Sequence, residues 1–163
     1  MIVNIIICLI IIVVGVLAIL TIYNKHKLED IIKRLDYSKD KLDKNLDDKK
    51  ELIEKAYKEI KDNYLKEKSY YQDIIKEDLI NFDKELTTSN NTLNDLINDN
   101  DKIKEDKSIK QITKDIKAND EKIYALKTYY NDNILAIKKS QNNIINKLLL
   151  TIKKKKDFNT FEI

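Results

Sequence analysis

The sequence predicts an all-α protein: an N-terminal transmembrane helix followed by an antiparallel, up-and-down helical bundle with coiled-coil-like heptads. Three observations carry this. Residues Ile2 to Ile22 form one apolar run without a charge. The chain has one glycine and no proline, the residues that punctuate turns and sheets. Beyond the run, apolar residues recur at alternating spacings of three and four, the signature of a helix with one buried stripe.

The run reads IVNIIICLIIIVVGVLAILTI, interrupted only by Asn4, Gly15 and Thr21. As a helix it is about 31 Å long, matching the hydrocarbon thickness of a bilayer. A secretory signal peptide is the rival reading, with Val16-Leu17-Ala18 as a loose cleavage site. No Lys or Arg precedes the run, and it exceeds a usual signal core, so a retained anchor over residues 1–24 is expected. The flank after Ile22 carries Lys25, Lys27, Lys33 and Arg34. The positive-inside rule then places the N-terminus outside and the helical domain in the cytoplasm of a cell membrane. Cys8, the sole cysteine, permits no intramolecular disulfide, and Ile7 before it is not the small residue that lipid attachment requires. His26 reads as a solvated surface residue.

Residues 25–157 are expected to form the bundle. Leu28, Leu35, Leu42 and Ala56 share one seven-residue position, and Ile32, Leu46, Ile53 and Ile60 its partner. Lys39 and Lys49 interrupt the stripe, with stems able to lie along apolar surface. The repeat slips at Asp62-Asn63, then resumes through Tyr64, Tyr71, Ile75, Phe82 and Leu86. The segment Thr87-Thr88-Ser89-Asn90-Asn91-Thr92 combines poor helix propensity with capping chemistry, so the main turn is expected at residues 87–92. A weaker break is expected between Asn98 and Ser108. Ile116, Ile123, Tyr130, Ile137 and Ile144 then recur every seven residues. Their companions are Ile112, Asn119, Leu126, Asn133 and Ser140, the polar members being read as register determinants. Ile109, Ile134, Leu135, Ile145, Leu148 and Leu149 widen this face to one suited to several neighbours. A short tail occupies residues 158–163.

Chemistry is sparse. Gly15 is the only glycine, which excludes P-loop and dinucleotide motifs. One cysteine and one histidine do not make an ordinary zinc site. Asp95, Asp99 and Asp101 lack the glycine and final glutamate of a calcium loop. Tyr70-Tyr71 and Tyr129-Tyr130 have helical spacing that favours bundle packing over base stacking. With 31 basic and 28 acidic residues the net charge is only +3, which argues against nucleic-acid binding. No enzyme activity, cofactor or metal is therefore expected. Lys153, Lys154, Lys155 and Lys156, with Phe158 and Phe161, are the candidates for contact with an anionic membrane surface. The same lysines also suit a helix C-terminus electrostatically.

The run Ile112, Ile116, Asp120, Ile123, Lys127 and Tyr130-Asn131 resembles the LemA family pattern. In that family, Leu, Leu, Glu, Ile, Arg and Tyr-Asn stand at the same spacings, with Asp120 and Lys127 here at the charged positions. Phe158 and Phe161-Glu162 look like the family's aromatic-Phe-Glu ending, and Tyr23-Asn24 and Leu52-Ile53 match more loosely. Glu54 stands where the family has proline, and its Tyr-Pro motif is absent. The resemblance implies a membrane-anchored, up-and-down helical bundle of four helices. The expected function is a non-enzymatic interaction scaffold or adaptor, with membrane lipid and either an unidentified protein or a second copy as partners. The alternatives are a membrane tether for division or cytoskeletal filaments and a regulatory subunit of a membrane protease or transporter.

One substitution tests the seam directly. Ile123→Asp places an unpaired charge in the expected core, at a cost of several kcal/mol, and the melting temperature by circular dichroism should fall sharply. A variant that melts with the parent removes Ile123 from the core.

Overall fold

A computed structural model describes residues 2–64, 74, 76, 78–140 and 159–163, with side chains from residue 4 onward. Helix makes up 92% of these residues and none is in a strand, as expected of a chain so poor in helix breakers. Among the described residues four helices follow in order: α1 (Ile2–Tyr64), α2 (Leu79–Asn98), α3 (Asp101–Glu105) and α4 (Lys107–Ser140).

α1 changes character along its length. Every large apolar side chain from Ile5 to Ile22 is at least 47% exposed. By length and composition this part of α1 is able to cross a membrane. Thr21 turns its hydroxyl back onto the Leu17 carbonyl at 2.8 Å, so the polar group is satisfied within the helix. Burial begins at Leu28 and is thereafter confined to one side.

The chain divides into two compact units. Unit 1 comprises Met1–Tyr37 and Tyr130–Thr160; unit 2 comprises Ser38–Tyr129 and Phe161–Ile163. In unit 1, Leu28, Ile31, Ile32 and Leu35 of α1 form a buried cluster with Ile134 and Ile137 of α4. Tyr130 and Ala136 pack against it. Burial, and then the Asp36 carboxylate, push the Tyr130 hydroxyl above its ordinary pKa.

In unit 2 the buried apolar side chains include Leu42, Leu46, Ile53, Ala56 and Ile60 on α1. α2 contributes Phe82, Leu86, Leu93 and Ile97, α3 contributes Ile103, and α4 contributes Ile109, Ile112, Ile116 and Ile123. Polar contacts record the order in which these segments meet. Along α1 and α4 the residue numbers run oppositely: Asn45 meets Asn119, and Tyr64 meets Asp106. Between α1 and the chain around α2, Lys50 meets the Ile74 carbonyl, Asp47 meets Lys76, and Tyr57 meets the Ser89 carbonyl of α2.

The turn expected at residues 87–92 is absent, because this segment is the middle of α2. Thr87, Thr88 and Thr92 each donate a hydroxyl to the carbonyl four residues earlier, at 2.8, 3.1 and 3.2 Å. Their competing hydrogen bonds are thereby absorbed inside the helix. Phe82, Leu86, Leu93 and Ile97 keep one buried stripe running straight through the polar segment. Burial of that stripe outweighs local propensity. The break expected between Asn98 and Ser108 is present. Asn100 caps α3 by accepting from the Lys102 N–H, and Asp106 stands just before α4, accepting from the Ser108 and Ile109 N–H groups. α2 is capped in the same way by Asp78.

Asn91→Pro separates a turn from a helix at this place. Mid-helix proline costs about 3 kcal/mol, so the urea midpoint of the folded domain should drop substantially. An unchanged midpoint restores a turn there.

Candidate functional site: buried ion pairs and the 159–163 segment

Charged side chains within unit 2 are where sequence and structure meet most closely. Lys49 interrupts the apolar stripe of α1, yet its side chain is only 5% exposed. Its ammonium lies 2.7 Å from the Asp120 carboxylate on α4. One residue earlier on α4, Asn119 donates its amide to the Asn45 carbonyl at 2.7 Å. The two contacts, one turn apart on α1, fix α4 against α1 at this level. Lys39, the other interruption, is exposed, and the smaller Ser38 takes the buried place. A lysine enters the interior only where a carboxylate meets it, since an unpaired buried charge is too costly.

The second pair joins α2 to α4. Lys127 donates to Asp83 at 2.7 Å, with side chains 14% and 9% exposed. The same ammonium lies 5.8 Å from the centroid of the Phe161 ring, within cation–π range. One residue along on each segment, Lys84 lies 3.2 Å from the Glu162 carboxylate. Asp83, Lys84, Lys127, Phe161 and Glu162 thus form one local cluster. A third lysine, Lys76, lies 2.6 Å from Asp43 and 2.9 Å from Asp47, and 5.4 Å from the Phe82 ring centroid. Partial burial works against its charge, but the two carboxylates outweigh this and raise its pKa above the ordinary 10.5.

Tyr64, the last residue of α1, donates its hydroxyl to Asp106 at 2.7 Å, tying that end of α1 to the cap of α4. This hydrogen bond, then the Ile109 N–H, holds the Asp106 carboxyl below its ordinary value against the smaller opposing effect of burial. The same bond to Asp106 raises the Tyr64 hydroxyl above its ordinary value.

The residues singled out from the sequence fall into distinct places. Asp120 and Lys127 are members of the two interhelical pairs, and Ile123 between them is buried. Tyr130 and Asn131 are half-buried in unit 1. Lys153, Lys154, Lys155, Lys156 and Phe158 lie outside the described residues, as do Tyr70, Tyr71, Ile144, Ile145, Leu148 and Leu149. Phe161 corrects its assignment as a membrane-surface residue: it is 5% exposed, held in unit 2 beside Lys127. Tyr129 and Leu135, expected to pack in the bundle, are exposed instead. Among the described residues no His, Cys, Asp and Glu group is arranged to hold a metal.

The partners Asp83, Asp43 and Asp47 were invisible in the sequence. Each lies among many charged residues on its helix, and its lysine is distant along the chain. Lys49 on a seam position was the one signal of a buried pair. No family model, curated protein or solved structure matches the chain.

Two predictions follow from these geometries. Lys127→Met strands a buried Asp83 and should cost about 3 kcal/mol in urea unfolding. The double variant Asp83→Leu with Lys127→Met should cost less than Lys127→Met alone. Additive losses contradict a buried pair.

The Tyr64–Asp106 contact has two pH limbs. Asp106 titrates below its ordinary 3.8, so its stabilisation is present above that value and lost as pH falls through the lower folded pKa. Tyr64 titrates above its ordinary 10.0, so its contribution is complete below that value and lost as pH rises through the raised one. Urea midpoints of the Tyr64→Phe variant should vary less than the parent's on both limbs. Parallel curves refute the coupling.

Proposed function

We propose that the chain is a single-pass membrane protein whose helical domain is a non-enzymatic interaction scaffold or adaptor, similar in layout to the LemA family. The observation that carries this reading is α1 itself. One continuous helix bears an apolar end exposed on all sides and, from Leu28 onward, a stripe buried against other helices. Lipid is the surrounding that suits the first part, since each large apolar side chain left in water forgoes about 1.5–3 kcal/mol. The exposed Lys25, Lys27, Lys33 and Arg34 beside the span favour a cytoplasmic domain with the preceding end outside.

Within unit 2, the order of contacts from Asn45–Asn119 to Tyr64–Asp106 supports an α4 that runs antiparallel to α1. The seven-residue repeats supply the buried stripes. The interhelical charges Lys49 and Lys127 serve packing: each lysine is matched by a carboxylate on a neighbouring helix. The partners of such a scaffold are membrane lipid on the span and a protein, foreign or a second copy, on the domain.

Crosslinking mass spectrometry on native membranes tests this reading. The expected result is reproducible crosslinks from lysines of the domain to one protein partner or to a second copy. Repeated recovery of intramolecular crosslinks alone contradicts a scaffold.

A further inference from the structure

The 159–163 segment has one buried side chain. Phe161 is buried, whereas Asn159, Thr160, Glu162 and Ile163 are exposed. None of its residues is in a helix or strand. Consecutive positions on the segment meet two different helices: Phe161 lies beside the Lys127 ammonium of α4, which is also paired with Asp83 of α2, and Glu162 lies against Lys84 of α2. The seat therefore reads a pattern: a ring whose face attracts a buried cation, followed directly by an acid. The acid adds selectivity rather than strength. Glu162 and Lys84 are 83% and 51% exposed, and such pairs contribute little.

We propose that Phe161–Glu162 is a detachable strap covering a peptide-binding site on unit 2. The ligand of that site in trans is a peptide segment with an aromatic residue followed immediately by an acidic one. Tethering holds the chain's own segment at an effective concentration of roughly millimolar, so the seat is self-occupied until a competing segment is supplied. This deepens the scaffold reading, on which it rests, by naming the chemistry of the protein partner.

The test uses the full chain in detergent and a fluorescent peptide, Asp-Phe-Asn-Thr-Phe-Glu-Ile, copied from residues 157–163. Fluorescence anisotropy should show the peptide binding the Phe161→Ala chain about tenfold more tightly than the parent, whose seat is filled. A peptide carrying the Phe161→Ala change should bind that variant chain about tenfold more weakly than the unmodified peptide. Equal affinity for parent and variant, equal affinity of the two peptides, or no binding to a variant that melts like the parent overturns the proposal.

Should Phe161→Ala fail to fold, the Cys8→Ser, Ile163→Cys chain with a dye at residue 163 answers the same question. Excess unmodified peptide should release the strap and lower the dye's anisotropy. Unchanged anisotropy at saturating peptide overturns the proposal. Failure of peptide binding alongside reproducible partner crosslinks would leave the scaffold reading standing. Loss of those crosslinks with peptide binding retained would sink only the scaffold.

Discussion

The rest of the structure depends on a change of surroundings along a single helix. Up to Ile22, α1 is apolar on every side and its large side chains are exposed. From Leu28 it is apolar on one side, and that side is covered. The residues between, Tyr23-Asn24-Lys25-His26-Lys27, are amphipathic or charged, and none is buried. A helix apolar all round and one with a single stripe require different environments. In the proposed arrangement the bilayer supplies the first and the other helices supply the second. The first residue buried by protein, Leu28, follows within two turns of Ile22, the last residue of the span.

Within unit 2, packing alone does not discriminate among nearby registers, because the stripes consist largely of interchangeable Ile and Leu. The buried polar contacts supply that discrimination. Lys49 with Asp120, and Asn119 with the Asn45 carbonyl, accept one alignment of α4 on α1, since a shift leaves a buried lysine unpaired. Lys127 with Asp83 does the same for α4 on α2. Such pairs are weak contributors to net stability but strong penalties on misalignment. Lys127 also connects this alignment to the Phe161 seat, so a residue that sets register also faces the 159–163 segment.

Much of the helical architecture was legible because the chain lacks breakers and its apolar spacing is regular. Every apolar residue that the spacing placed on the α1 stripe, from Leu28 to Ile60, is buried. The break between Asn98 and Ser108 was legible as an interruption of the apolar spacing, and the structure adds its caps, Asn100 and Asp106. The expected turn at 87–92 failed for a definite reason. Its threonines and asparagines have poor propensity, but Leu86 and Leu93 flank them at the spacing of two helical turns, and burial of that stripe prevailed. Lys39 and Ser38 illustrate a finer limit. Periodicity alone does not reveal that Lys39 is exposed while Lys49 is buried against Asp120. The burial of Phe161 lay beyond sequence reasoning, since Lys127, which it lies beside, is remote along the chain.

The lone cysteine offers the most direct measurement of the central claim, that the apolar end of α1 lies in lipid. Cys8 is exposed at the protein surface within that end. In open membrane fragments a bulky, membrane-impermeant maleimide should leave Cys8 unmodified, because a thiol in hydrocarbon does not meet the reagent. After denaturation in SDS the same residue should label completely. A cysteine introduced at the exposed Tyr37 in a Cys8→Ser chain should label in the intact fragments. Rapid modification of Cys8 before denaturation would contradict the membrane placement of α1 and the account built on it.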